Sequence, residues 1–190
     1  MITAYTHPYE SIQSRVIIDC QISLPNSNPE EGSEQKALWD TGAMVTCIST
    51  KLAYDLGLIA IDETMVVGAN NEPFKVSTYC VQIKMGSFVI PIHNVVGLPM
   101  DGNEHSMIIG MDIISKGDLS ITNYSGRTVI SFRTPSLETI DYVSEIALQN
   151  KCNKLHTINV KAKRPDKCAC GSGKDYKNCH GNSVYTKHKG

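Results

Sequence analysis

The tripeptide Asp40-Thr41-Gly42 constrains this sequence more than any other feature, because its Thr-Gly pair lies between two short, largely apolar segments, residues 37–40 and 44–48. Apolar residues on both sides of a Thr-Gly pair predict two strands joined by a tight turn, with the aspartate at the end of the first strand. Alone, the tripeptide is weak evidence, since an aspartate can simply initiate a turn. The rest of the sequence therefore decides how it is interpreted.

Most of the sequence before Pro135 has the pattern of β-strands. Residues 15–24 alternate between apolar and polar side chains, which is typical of a strand with one buried face. We expect the polar residues 25–35 to form a loop, and a short helix to begin after Ser49 and to end at Gly57. Further β-prone segments predict antiparallel hairpins: residues 64–67, 75–85, 88–96, 118–122 and 127–132.

A second motif, Ile108-Ile109-Gly110, follows downstream and leads into a possible helical turn at residues 112–116. In this order and at this spacing, the two motifs resemble those of the retropepsin-like aspartic proteases, and the resemblance covers residues 15–132. It implies a mainly β fold, namely a closed β-barrel of the retropepsin (acid protease) type. A short helix would follow the second apolar-Gly motif, and a small C-terminal zinc knuckle would follow the barrel.

The resemblance implies that Asp40 is a catalytic carboxylate in the hydrolysis of peptide bonds. Without a metal or a covalent intermediate this reaction needs a base and an acid, and two carboxylates that share one proton can supply both. No second Asp-Thr-Gly or Asp-Ser-Gly occurs in the chain. The second carboxylate must then come from another subunit, which predicts a homodimer with a two-fold axis between the two Asp40 side chains.

The resemblance also assigns roles to the residues around the catalytic aspartate. Thr41 would brace the two loops by a hydrogen bond across the axis, and Gly42 would allow a tight turn that points its N–H at the carboxylates. Ala43 would stay small against the substrate or the partner chain. Ile109 would fill the core behind the loop, and Gly110 would lie beneath it, where a side chain would displace the aspartate.

Residues 66–74 occupy the place of the flap hairpin in this family. Such a flap closes over an extended polypeptide substrate and excludes water from the site. The resemblance therefore implies that the turn of this hairpin contacts the substrate, and the residues concerned are Gly68, Ala69, Asn70 and Asn71.

A cysteine cluster near the C-terminus carries a second resemblance. Cys168, Cys170, Cys179 and His180 have the spacing Cys-x-Cys-x8-Cys-His, with glycines between them, and resemble the SEC-C motif. Zinc prefers four sulfur or nitrogen ligands in a tetrahedron, and these residues supply four. Because protein fills every position, the resemblance implies a structural Zn²⁺ that folds the tail, and we expect no metal in catalysis.

The chain is predicted to have three parts: a protease domain at 1–135, a partly helical linker at 136–164 and the zinc motif at 165–184. Residues 151–190 contain ten Lys or Arg and two Asp or Glu, so this basic tail could contact an acidic protein or a ribosome, or simply remain solvated. Scattered single cysteines favour a reducing compartment, the cytoplasm. No stretch of about 18 apolar residues occurs, so we expect no membrane partner.

Three functional hypotheses, two of them enzymatic, are compatible with these patterns. The favoured one is a homodimeric aspartic endopeptidase whose zinc tail recruits a substrate or partner. The alternative is a non-catalytic dimeric module that binds protein or nucleic acid on the same fold. A third hypothesis, a zinc-dependent enzyme centred on the tail, predicts that activity survives Asp40→Asn and is lost on chelation.

Overall fold

The computed structural model describes residues 2–67, 72–100, 102–161, 167–168 and 170–179. It divides into two units, Met1–Glu138 and Thr139–Gly190. The strands in the first unit are β1 Thr3–Pro8, β2 Ile17–Ser23, β3 Ser33–Trp39, β4 Cys47–Ser49, β5 Asp62–Val67, β6 Pro73–Met85, β7 Phe88–Leu98, β8 Met107–Ile109, β9 Asp118–Thr122 and β10 Val129–Thr134. The helices are α1 Thr50–Asp55 and α2 Met111–Ile114 in the first unit and α3 Tyr142–Lys161 in the second.

The main sheet of the first unit closes into a barrel. Its strands run in the order β2-β3-β8-β4-β7-β6, and β6 pairs again with β2, where Ile22 is in register with Ile83. Strand β5 extends beyond the barrel as the outer strand of a hairpin with β6. A closed barrel leaves no free edges around its circumference. This architecture, with the short helix α2 after the second motif, confirms the expected mainly β fold.

The barrel core follows from the alternation in the sequence. On β2, Ile18, Cys20 and Ile22 are all buried, because successive side chains of a strand point to opposite faces. The indole of Trp39 packs against the ring of Phe132, with ring centroids 5.1 Å apart. Phe132 belongs to β10, so the core extends from the barrel to a second sheet.

This second sheet has three strands in the order β1-β10-β9, all antiparallel. Strand β1 was not predicted. Its side chains alternate between half-buried and exposed, and the strand is fixed by pairing of Thr3 through Pro8 with Thr134 through Val129. The N-terminal segment is therefore an integral part of the first unit.

The sequence predicted the ends of helix α1 more accurately than the ends of the strands. Ser49 caps α1, since its Oγ accepts the Leu52 N–H at 3.0 Å, and Gly57 follows the helix in a left-handed conformation with φ 63°. The predicted loop at 25–35 is wrong at its end, because β3 already begins at Ser33. A linker helix was also expected, and α3 occupies Tyr142–Lys161.

The predicted strand at 44–48 is likewise wrong in its first three residues, because the loop after β3 continues to residue 46 and β4 is confined to Cys47–Ser49. Within the described residues, no helix is both long and apolar enough to cross a membrane.

Candidate active site and metal centre

The loop between β3 and β4 carries the predicted catalytic aspartate at its start. The backbone N–H of Asp40 donates to the carbonyl oxygen of Ile109 at 3.0 Å. The carboxylate oxygen Oδ1 of Asp40 accepts a hydrogen bond from the backbone N–H of Gly42 at 2.8 Å. The loop therefore forms a tight turn around the Asp40 side chain. Asp40 is half-buried and Thr41 is exposed, which leaves this face of the loop open.

Parallel pairing of β3 with β8 brings the two sequence motifs together. Trp39 is in register with the buried Ile109. One residue past Gly110, the backbone N–H of Met111 donates to the carbonyl oxygen of Ala43 at 2.8 Å. The Asp-Thr-Gly loop and the second motif therefore form one continuous substructure. The roles expected for Thr41, Gly42, Ala43, Ile109 and Gly110 stay predictions.

A buried threonine lies under this substructure. The Thr46 hydroxyl accepts the backbone N–H of Gly110 at 3.1 Å and donates to Oδ1 of Asp112 at 2.7 Å. Thr46 is fully buried and Asp112 is half-buried. The sequence patterns did not single out Thr46, and they placed Asp112 only at the start of a possible helical turn. Asp112 does lie in the first turn of α2, and its hydrogen bond to a threonine explains its position.

The thiol of Cys47 on β4 is buried, and the charges of Asp40 and Asp112 affect it. Burial, and after it the charges of Asp112 and Asp40, raise the pKa of Cys47 to about 11. The Cys47 thiol donates to the carbonyl oxygen of Val45, with Sγ 3.3 Å from the oxygen. Cys47 is thus a neutral core residue, because the thiol and not the thiolate is the stable form at neutral pH.

The second unit contains a cluster of cysteine sulfurs. The Sγ atoms of Cys168, Cys170 and Cys179 lie within 4.8 Å of one another, and those of Cys170 and Cys179 are 3.6 Å apart. In a tetrahedral site with Zn–S bonds of about 2.3 Å, neighbouring sulfurs are roughly 3.8 Å apart. The three thiols therefore fit a tetrahedral metal ion. The predicted fourth ligand, His180, lies outside the described residues.

Tight turns wrap the chain around these sulfurs. The backbone N–H of Cys168 donates to the carbonyl oxygen of Lys174 at 2.8 Å, which closes a short loop. Gly171 and Gly173 adopt left-handed φ angles of 79° and 73° within it, a conformation that glycine adopts at no steric cost. The glycine-rich spacing is therefore what allows ligands two and eleven positions apart, Cys170 and Cys179 counted from Cys168, to converge.

Comparison with family models is consistent with both sites. Residues 30–113 match the aspartyl protease family. This aspartyl protease segment contains the Asp40 loop, the hairpin of β5 and β6, and the second motif. Residues 164–182 match the SEC-C motif and include all four predicted ligands. Both resemblances inferred from the sequence are thereby confirmed.

Individual proteins resemble this chain only at low sequence identity. A solved structure, the retropepsin-like aspartic protease from Rickettsia conorii, is 12% identical to this chain. The match covers 70% of this chain and 95% of that chain, with a TM-score of 0.40. Curated protein sequences give no significant match.

Three apolar side chains in the loop after Asp40 and at the start of α2 are exposed. Met44 is 82% exposed, Val45 39% and Met111 36%. Where exposed apolar side chains form a contiguous patch, the patch often binds another polypeptide. The residues expected to cover such a polypeptide, Gly68, Ala69, Asn70 and Asn71, lie outside the described residues.

Proposed function

We propose that this chain is one half of a homodimeric aspartic endopeptidase in which Asp40 and its copy in the second subunit hydrolyse peptide bonds. The observation that carries the proposal is the Asp40 loop itself. A half-buried carboxylate is held by the Gly42 N–H on a face that is open, in a segment that matches aspartyl proteases. Each subunit supplies one such acid, so a complete site requires two.

The reaction follows from two carboxylates that share a proton. Two ionised carboxylates in contact repel each other, so the pair holds one proton and titrates as a unit. The ionised carboxylate removes a proton from water as the water oxygen attacks the carbonyl carbon, and the protonated carboxylate gives its proton to the carbonyl oxygen. As the diol collapses and the C–N bond breaks, the nitrogen takes the proton that the dyad removed from water. A diol hydroxyl gives its proton to the other carboxylate, which restores the singly protonated dyad.

The surroundings support an extended polypeptide as the substrate. The exposed side chains of Met44, Val45 and Met111 offer apolar contacts next to the acid, and the hairpin of β5 and β6 would cover the peptide. Thr41 would brace the two loops across the axis, and Ala43 would stay small against the substrate. The zinc tail would recruit a substrate or partner through its basic surface.

A comparison of wild type, Asp40→Asn and Asp55→Asn tests the proposal. Oligomeric mass is measured by sedimentation and cleavage is measured on an unfolded protein. We expect dimers throughout and a loss of cleavage of at least about 100-fold in Asp40→Asn alone, because the variant cannot act as a base. Asp55 is the matched control, since it forms an exposed ion pair with Lys51 on α1, which contributes little to stability.

Two results would contradict the proposal. Cleavage that survives in Asp40→Asn would show that the aspartate does not participate in the reaction. A folded, dimeric wild type that cleaves nothing in a broad peptide library would favour the binding module instead.

A further inference from the structure

We propose that Thr46 and Asp112 are positioning residues of the loop that carries Asp40: Asp112 orients the Thr46 hydroxyl, which in turn fixes the Gly110 peptide beneath Asp40. The inference rests on the proposed function for its effect on catalysis. Neither residue would touch the substrate or the reacting atoms. Both would act by holding the backbone that holds the acid.

The direction of the two hydrogen bonds makes Asp112 necessary. A threonine hydroxyl has one proton and can rotate to donate it to any nearby acceptor. Donation to Oδ1 of Asp112 at 2.7 Å uses that proton and leaves a lone pair for the Gly110 N–H at 3.1 Å. Because Oδ1 of Asp112 can only accept, the hydroxyl donates to it and stays an acceptor toward the Gly110 N–H.

The Gly110 peptide lies between the contacts that hold the loop. On one side, the carbonyl oxygen of Ile109 accepts the Asp40 N–H at 3.0 Å. On the other side, the Met111 N–H donates to Ala43 at 2.8 Å. A shift of the Gly110 peptide therefore moves both ends of the Asp-Thr-Gly turn.

The Gly110 N–H donates to the Thr46 hydroxyl in the protein interior. Thr46 is fully buried and Gly110 is buried as well. If the hydroxyl were removed, the Gly110 N–H would be left in the interior without its partner, which favours a local rearrangement of the backbone. The second motif contributes to the active site through this hydrogen bond as well as through its apolar packing.

Four single variants of the full-length dimer separate this role from simple packing. Thr46→Val and Asp112→Ala break the chain of hydrogen bonds, whereas Thr46→Ser and Asp112→Asn keep a hydroxyl and an amide oxygen in place. We expect kcat to fall by about 10- to 100-fold in the first two, because small misplacements of catalytic groups have effects of this size. KM should change less than about twofold, and the Ser and Asn variants should stay near wild type.

The double variant Thr46→Val with Asp112→Ala tests the coupling. If the residues act as one unit, its kcat is no lower than that of the worse single variant. Independent and multiplicative losses would overturn the proposal, as would a Thr46→Val enzyme within twofold of wild type. A loss in Asp112→Asn equal to that in Asp112→Ala would overturn it too, because charge and not the acceptor atom would then matter.

Amide hydrogen exchange gives a readout that does not depend on catalysis. We expect the Gly110 and Gly42 amides to exchange at least about tenfold faster in Thr46→Val than in Thr46→Ser. Unchanged exchange would overturn the inference even in an active enzyme. If the amides exchange faster in Thr46→Val but the wild type cleaves no peptide, the positioning role of Thr46 and Asp112 is supported. Only the proposed protease function is then rejected.

Discussion

A methyl group on Gly110 would collide with the backbone of Val45, at 2.6 Å from its carbonyl carbon and 2.7 Å from its carbonyl oxygen. The carbonyl oxygen of Ala43 would be 3.0 Å away. Flexible side chains can rotate away from such a contact, but these backbone atoms cannot, because Ala43 is itself hydrogen-bonded to Met111. Only glycine fits beneath the Asp40 loop without moving it.

We therefore expect Gly110→Ala to reduce peptide cleavage by at least about 100-fold, since displaced catalytic groups lose most of their efficiency. Overpacking should also lower the free energy of unfolding by about 1–3 kcal/mol. Gly86→Ala is the matched control: the space around Gly86 is open, but its φ of 57° makes alanine cost about 1–2 kcal/mol. Cleavage per folded protein and urea unfolding are measured for both variants. Equal losses of cleavage would mean that stability, not loop geometry, limits activity.

The sequence alone predicts features that depend on residues close to one another in the chain. The alternation on β2 required only that one face be buried, and the Ser49 cap and Gly57 stop of α1 depend on a few neighbouring residues. The Asp-Thr-Gly turn was also predictable, because its Gly42 N–H bonds to an aspartate two residues earlier. Such features depend on contacts that are close in sequence.

Features that depend on distant contacts could not be predicted from these patterns. Strand β1 forms because it pairs with β10, more than 120 residues later in the sequence, and its own alternation is too weak to identify it. The hydrogen bond between Thr46 and Asp112 joins residues 66 positions apart. A threonine within an apolar segment gave the one available signal, since a buried hydroxyl needs a partner.

Acid should weaken the first unit partly through Asp118. A hydrogen bond from the Ser136 hydroxyl is the largest cause of its lowered pKa, followed by the Leu137 N–H and the side chain of Arg133. A carboxyl group whose pKa is lower in the folded state stabilises the fold above its unfolded pKa, near 3.8. This contribution is lost as the pH falls from that value through the folded pKa.

Asp118→Asn should therefore be less stable than wild type at neutral pH, and the difference should shrink below pH of about 4. Urea unfolding at fixed protein concentration measures it, with the fluorescence of Trp39, the single tryptophan, as the probe. Asp55→Asn is the control, because an exposed ion pair on a helix should give a small difference at every pH. A difference between wild type and Asp118→Asn that persists unchanged at pH of about 2 would contradict the assignment.

Removal of the metal should unfold the zinc tail and leave peptide cleavage by the first unit nearly unchanged. Zinc, if bound by Cys168, Cys170, Cys179 and His180, folds the tail, whereas the proposed dyad needs no metal. We expect the full-length protein to bind about one zinc per chain, and a chelator to remove it and to expose the tail to proteolysis. Cleavage of a short peptide should change less than about twofold, because the peptide chemistry requires only carboxylates and water.

The cysteine variants make this prediction specific. Cys170→Ser and Cys179→Ser should lose zinc, measured by elemental analysis of the purified protein, since each removes one thiolate ligand. Cys80→Ser is the matched control: its thiol lies in the first unit, 3.4 Å from His93 Nδ1, and its loss should leave the zinc content unchanged. If chelation abolished short-peptide cleavage while Asp40→Asn remained active, the reaction would belong to a zinc-dependent enzyme centred on the tail. That result would contradict both the proposed dyad and the four-ligand site, because a structural ion with four protein ligands leaves no position for a catalytic water.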